Sequence, residues 1–267
     1  MSWRLFNSSA RVATIIIALI GLIYMIIPIL TIVPISFSAD RYISLPVSGY
    51  SLKWYERMWN SVGYTGAFAN TLLIGVAVAA LSAMLGTMAA LAVVRGKLPF
   101  ARLVSVIVLS PLVMPQIILA IGIFPIIAQF GLIGSKFAVI IAHTAISISL
   151  VFITVSSALR GYSQNMELAA MTLGANGLRT FLHVTWPNIW LGVLVGAIFS
   201  FALSFDEIII ALFLTDASSV TLPVYMWNEI RFAMDPTITA ASIVAIAISL
   251  SMLSIVGLLQ SVGKKAR

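Results

Sequence analysis

With 267 residues, 61% of them hydrophobic and only 9% charged, the chain has more apolar surface than a water-soluble fold of its length could bury, since soluble domains carry roughly 25% charged residues. The formal charge of +7 would suit a nucleic-acid binder, but the basic residues are scattered through short segments between apolar runs, which excludes that reading. The lack of cysteine excludes a disulfide framework and a thiolate metal site.

No Asp, Glu, Lys or Arg falls between Arg11 and Asp40, Arg57 and Arg95, Arg102 and Lys136, Lys136 and Arg160, Arg179 and Asp206, or Asp235 and Lys264. Each gap is long enough for the roughly 20 apolar residues that cross a bilayer as a helix. Runs such as Ile15-Ile16-Ile17-Ala18-Leu19-Ile20 show no two-residue alternation, so barrel strands do not fit. The expectation is an all-α, polytopic membrane protein, one domain over 1–267, with six transmembrane helices at about 12–34, 67–94, 103–128, 137–158, 189–214 and 238–260. The first run is too long for a signal-peptide core. Placing both termini in the cytoplasm puts ten basic residues inside and five outside, as the positive-inside rule requires.

In chain order, the first external loop, about 35–66, is rich in turn formers and aromatics. The second span carries Ser82, Gly86 and Ala90 at four-residue spacing, a packing stripe. Pro111, Pro115 and Pro125 mark kinks or ends within the third. The fourth carries His143, read as an interhelical hydrogen-bonder with no apparent serine partner and without the co-ligands a metal site needs. The fifth repeats the small stripe at Gly192, Gly196, Ser200 and Ser204, which serves either intramolecular packing or a seam with a second subunit.

Asp206 and Glu207 are the only acids inside any span, about 26 Å along the fifth helix and so near its outer end. Two readings coexist. Asp206 is a cation-attracting station on a translocation path, and Ser204-x-x-Glu207 has capping-box spacing that would break the span and start a short helix. Gln116 and His143 are weaker candidates for the same path.

The segment 159–188 is more than a connector. Met166 to Leu173 reads as a short helix stopped by Gly174, a residue that tolerates a left-handed backbone. A second piece follows from Leu178, and Pro187 opens the fifth span. Ala169, Ala170, Gly174, Val184 and Pro187 stand in the register of the coupling motif Glu-Ala-Ala, three residues, Gly, nine residues, Ile, one residue, Leu-Pro. Leu168 takes the motif's glutamate position, with Glu167 one place earlier, and Trp186 replaces its leucine.

In this segment the chain resembles the permeases of binding-protein-dependent ABC importers. Asn70-Thr71, Leu109-Ser110-Pro111-Leu112-Val113-Met114-Pro115, Ser204-Phe205-Asp206-Glu207 and Thr221-Leu222-Pro223-Val224-Tyr225 look like the polyamine branch, specifically the second permease subunits of spermidine/putrescine importers. Gln116 departs from that branch, which tends to carry an acid there.

The resemblance implies a type I importer permease fold in a bacterial inner membrane, and half of a translocation path for a small solute, a polyamine first. An amino-acid derivative, an opine or a metal ion is the alternative. It implies partners too: a second permease subunit, two ATPase subunits, an extracytoplasmic solute-binding protein and membrane lipid, with no nucleic acid. Glu167, Ala169, Ala170, Gly174 and Pro187 would couple to the ATPase. ATP and magnesium would sit on that ATPase, with no cofactor or metal on this chain. No Gly-x-Ser-x-Gly and no phosphate-binding loop of Walker form occurs, so the chain itself is not read as an enzyme. A stand-alone secondary transporter would leave 159–188 without a purpose.

Overall fold

The computed structural model describes residues 2–96, 98–232 and 235–265, with side chains over 10–96, 98–231 and 235–261. The helices are α1 (Ser2–Ser36), α2 (Lys53–Asn60), α3 (Val62–Val94), α4 (Ala101–Val113), α5 (Gln116–Gln129), α6 (Lys136–Arg160), α7 (Asn165–Thr172), α8 (Gly177–Thr180), α9 (Trp186–Asp206), α10 (Ile209–Leu214), α11 (Leu222–Phe232) and α12 (Thr237–Lys265). Among the described residues no strand forms; a single bridge pairs Ser38 with Tyr50. Among the described residues five helices are long and apolar enough to cross a membrane, and six spans result if the bent pair α4–α5 is one of them.

The chain divides into two compact units, 1–61 with 228–247 and 62–227 with 248–267. In the first, the loop after α1 folds back on itself. The Trp54 indole N–H donates to the Ser38 carbonyl at 2.8 Å, and the Ser36 and Tyr55 hydroxyls lie 2.9 Å apart. Trp54 and Met58 are buried on one side of α2 while Trp59 is exposed, as an amphipathic helix at a headgroup boundary would be. Arg57 and Asp235 form an ion pair at 3.0 Å.

The second unit is built on α3, α6 and α9. Both small-residue stripes face α6. A Cβ on Gly86 would come within 2.7 Å of Val151 Cβ, and one on Gly196 within 2.5 Å of Thr154 Oγ1 and 2.8 Å of Val151 Cα. Ser200 Oγ donates to the Ser147 carbonyl at 3.2 Å. The stripes are thus intramolecular, and close approach of helix backbones is what they provide.

At one end of this unit, Asn70 Nδ2 donates to the Ser218 and Val220 carbonyls at 3.1 and 3.0 Å, and the Leu222 N–H donates to Thr71 Oγ1 at 2.7 Å. Those bonds satisfy a connecting segment that would otherwise bury bare peptide groups.

Two of the expected spans are not single rods. The span expected at 103–128 bends by 108° between α4 and α5. Pro115 follows the last helical turn, and the residue before a proline is pushed out of the α region; Met114 has φ −74° and ψ 138°. The span expected at 189–214 starts earlier and stops earlier. A π-helical turn, Phe181–Thr185, joins α8 to α9, so one helix runs from Gly177 to Asp206. Pro187 therefore sits in the first turn of a regular α segment but does not open the helix. The wider π turn, with the Trp186 N–H bonded to Phe181 O, accommodates the proline ring. Glu207 is extended, with φ −74° and ψ 122°, and separates α9 from α10. The helices that follow the two breaks, α5 and α10, share one core through Ala120, Ile127, Ile210, Ala211 and Leu214.

Candidate functional site: two broken spans and a fastened loop

The break in the fifth span is held by buried polar groups. Glu207 accepts the Ile210 N–H at 2.8 Å and the Ala211 N–H at 3.1 Å, satisfying two of the orphan donors that begin α10. His143 Nε2 lies 3.0 Å from Glu207 Oε2, with its N–H pointing off the oxygen. The other ring nitrogen, Nδ1, is 2.9 Å from Ser204 Oγ. We assign the ring proton to Nε2, because a carboxylate can only accept, and the Ser204 hydroxyl then donates to Nδ1. His143, Ser204 and Glu207 are buried.

Two sequence expectations are corrected here. Ser204 caps nothing: it lies within the last turn of α9, which ends at Asp206, and Glu207 caps α10 directly. His143 does have a serine partner, because residues 143 and 204, far apart in sequence, meet where α6 crosses α9. The three side chains include nucleophile, base and acid types, but each is occupied within the buried cluster, and the cluster acts as a clamp on the break.

With Glu207 so engaged, Asp206 is the exposed carboxylate at the end of α9. Gln116 is exposed at the first position of α5, just past the other break. Non-helical backbone at membrane depth is tolerated where it lines a water-filled path or is buried in protein, and interrupted helices characteristically surround transported solutes. The geometry leaves a negative group, Asp206, and a neutral amide, Gln116, at the two interruptions.

At the other end of α6 and α9 lies the loop 161–185. Gly174 has φ +90°, and the Ala175 N–H bonds to Ala170 O while the Gly174 N–H bonds to Met171 O, each at 3.0 Å. This is a Schellman ending for α7. Leu168, Ala169, Met171, Leu173 and Gly174 are exposed, as is Pro187, and Ala170 is half-buried. Glu167 turns the opposite way and is buried. Arg95 Nε donates to its Oε1 at 3.1 Å, as do Thr185 Oγ1 at 3.1 Å and the Tyr162 hydroxyl. Burial would lower the Arg95 pKa, but hydrogen bonds to Tyr162 and Glu167 outweigh it and raise the pKa. Burial, then the bond to Glu167, pushes the Tyr162 hydroxyl up.

Glu167 and the other loop residues thus divide. Glu167 holds the loop, while Leu168, Ala169 and Met171 present an apolar surface outward. Arg95, Tyr162 and Thr185 were not legible as site residues. The acid standing one place early, at 167 with Leu168 after it, was the available signal, since one residue turns a helical side chain by about 100° onto another face.

Residues 82–265 match the family described as binding-protein-dependent transport system inner membrane component. The chain is 30% identical over 233 residues to the putrescine transport system permease protein PotI of Escherichia coli (strain K12), covering 85% of this chain and 83% of that one. It is 27% identical over 229 residues to the spermidine/putrescine transport system permease protein PotC of Haemophilus influenzae, covering 86% and 89%. In structure it superposes on a chain of a bacterial ABC transporter that imports the acidic polysaccharide alginate, with TM-score 0.69, 18% identity, and coverage of 98% and 96%.

Proposed function

The chain belongs to the family of binding-protein-dependent transport system inner membrane components, and from that premise we propose that it carries a polyamine. It is a multi-pass inner-membrane permease subunit of an ABC importer, of the type I permease fold. Our reading adds a second permease subunit across the path, two ATPase subunits that bind ATP and magnesium, and an extracytoplasmic binding protein that delivers the solute. Both termini and the loop 161–185 face the cytoplasm in this reading.

The observation that carries the solute class is Asp206, an exposed carboxylate at the break in a span whose neighbouring acid is buried and occupied. A positive solute leaving its binding protein gains from such a charge, since two unit charges 4 Å apart at an effective dielectric of about 20 attract by about 4 kcal/mol. Relatives named for putrescine and spermidine transport support the same class. Gln116 favours a second reading, a neutral or zwitterionic solute such as an amino-acid derivative, because it leaves the other break uncharged.

The test is uptake of radiolabelled putrescine and spermidine into proteoliposomes holding the complete importer with its binding protein and ATP. Saturable uptake competed by other polyamines, and not by neutral amino acids or sugars, is the expected result. Uptake of an amino acid with none of either polyamine would replace the first reading by the second.

A further inference from the structure

Arg95 has no part in the proposed function above, yet its largely buried guanidinium touches three different elements of the second unit, α6, α7 and the turn between them. It follows the last turn of α3, and its side chain and that of Glu167 are only 15% and 10% exposed. Its Nε reaches Glu167 Oε1 at 3.1 Å, on α7. Its Nη2 donates to the Leu159 carbonyl at 2.7 Å and more weakly to the Tyr162 carbonyl at 3.4 Å, at the end of α6. The guanidinium carbon lies 4.7 Å from the centre of the Tyr162 ring. Thr185, in the π turn that leads into α9, donates to the same carboxylate oxygen. One arginine and one glutamate therefore join α3, α6, α7 and the start of α9.

We propose that Arg95 is a positioning residue that fastens α7 to α3, so that the loop helix and α3 move as one body during the transport cycle. This rests on the importer reading of the loop. A guanidinium suits the task because its planar fork serves a carboxylate and carbonyls at once, which a lysine ammonium does less well. The α3 helix is also the right lever. Asn70, which holds the Ser218 and Val220 carbonyls, is 25 residues before Arg95 on an unbroken helix, about 37 Å away at 1.5 Å per residue. A displacement of α7 is thereby delivered to the far end of the unit without passing through either broken span.

The chain has no cysteine, so spin labels can be placed at exposed Met88 on α3 and Asn165 on α7 in the full importer. Pulsed dipolar spectra are expected to give one narrow distance, unchanged between the nucleotide-free and ATP-bound states, and a broadened one in Arg95→Met. Solute transported per ATP hydrolysed should fall about tenfold or more in Arg95→Met, the equivalent of losing one charge-assisted hydrogen bond, and Arg95→Lys should restore part of it. A merely structural role would lower the amount of assembled importer and leave that ratio unchanged. Tyr162→Phe, which removes a single hydroxyl, serves if Arg95→Met fails to assemble; broadening supports the proposal and an unaltered distance overturns it. A wild-type distance that shifts on ATP binding, or an unaltered ratio in assembled Arg95→Met, also overturns it. The distance does not depend on which solute is carried, so an error in the solute class would show in the uptake assay alone.

Discussion

His143 on α6 stands 3.0 Å from Glu207 at the break between α9 and α10, with neither side chain reaching solvent. The pair ties the break to the most buried span, and its removal should be costly. His143→Leu is expected to lower stability by about 1–3 kcal/mol, because a buried carboxylate loses a partner. Glu207→Gln keeps one acceptor oxygen where the carboxylate serves the Ile210 and Ala211 amides with two, and it loses the charge. The double variant should cost less than the sum of the two, with a coupling of about 0.5–3 kcal/mol. Thermal unfolding in detergent measures all three, and strict additivity would mean that the two groups do not interact.

Packing of α9 on α6 has its own test. A methyl at Gly196 would meet Thr154 Oγ1 at 2.5 Å and Val151 Cα at 2.8 Å, the second being backbone that cannot turn aside. Gly196→Ala is therefore expected to destabilise by about 1–3 kcal/mol, the usual range for overpacking. At Gly122, inside α5, nothing lies within 4 Å of an added Cβ, and Gly122→Ala should stabilise by about 0.5–1 kcal/mol, the gain of alanine over glycine in a helix interior. Equal melting of the two variants would show that α9 is not held closely against α6.

How much of this was visible in the residues depends on the range of the interaction. Charge gaps gave the spans, since a bilayer imposes one length on every crossing, and Gly174 announced its left-handed ending because few other residues adopt one. Pro115 marked a discontinuity without its 108° size, since the angle depends on what α5 packs against. The break and the capping by Glu207 were legible, but Ser204 was read as its capping-box partner, because local spacing cannot report that a histidine 61 positions earlier takes the serine. The Arg95–Glu167 pair spans 72 positions and left no local pattern at all. Long-range polar contacts are set by how helices cross, which no single segment encodes.

Orientation can be read from labelling. Tyr50 and Leu173 are strongly exposed, at 75% and 89%, and Ala217 is exposed as well. In the cysteine-free chain, cysteines at positions 50 and 217 should react with an impermeant maleimide in intact cells, and one at 173 only after permeabilisation. Reaction at 173 in intact cells would invert the chain and remove the loop 161–185 from reach of an ATPase.

Asp206 and Glu207 are adjacent acids with opposite surroundings, and substitution should separate what they do. Asp206 is exposed at the end of α9 with no assigned structural bond, so Asp206→Asn keeps the shape and should shift stability by less than about 0.5 kcal/mol. If the solute is a polycation, the lost attraction, taken at a quarter of the 4 Å value because a path holds water, is about 1 kcal/mol or more per charge. A solute with two or more charges should then be taken up roughly tenfold or more less efficiently, chiefly through a higher KM, while basal ATP hydrolysis is unchanged. Glu207→Gln should show the reverse pattern, because that carboxylate holds the first amides of α10. It is expected to reduce the amount of folded importer, with KM near wild type for what remains. A neutral or anionic solute predicts little loss or a gain for Asp206→Asn. Wild-type polyamine kinetics in that variant would remove Asp206 from the path and leave the uncharged break at Gln116 as the place to look for the solute.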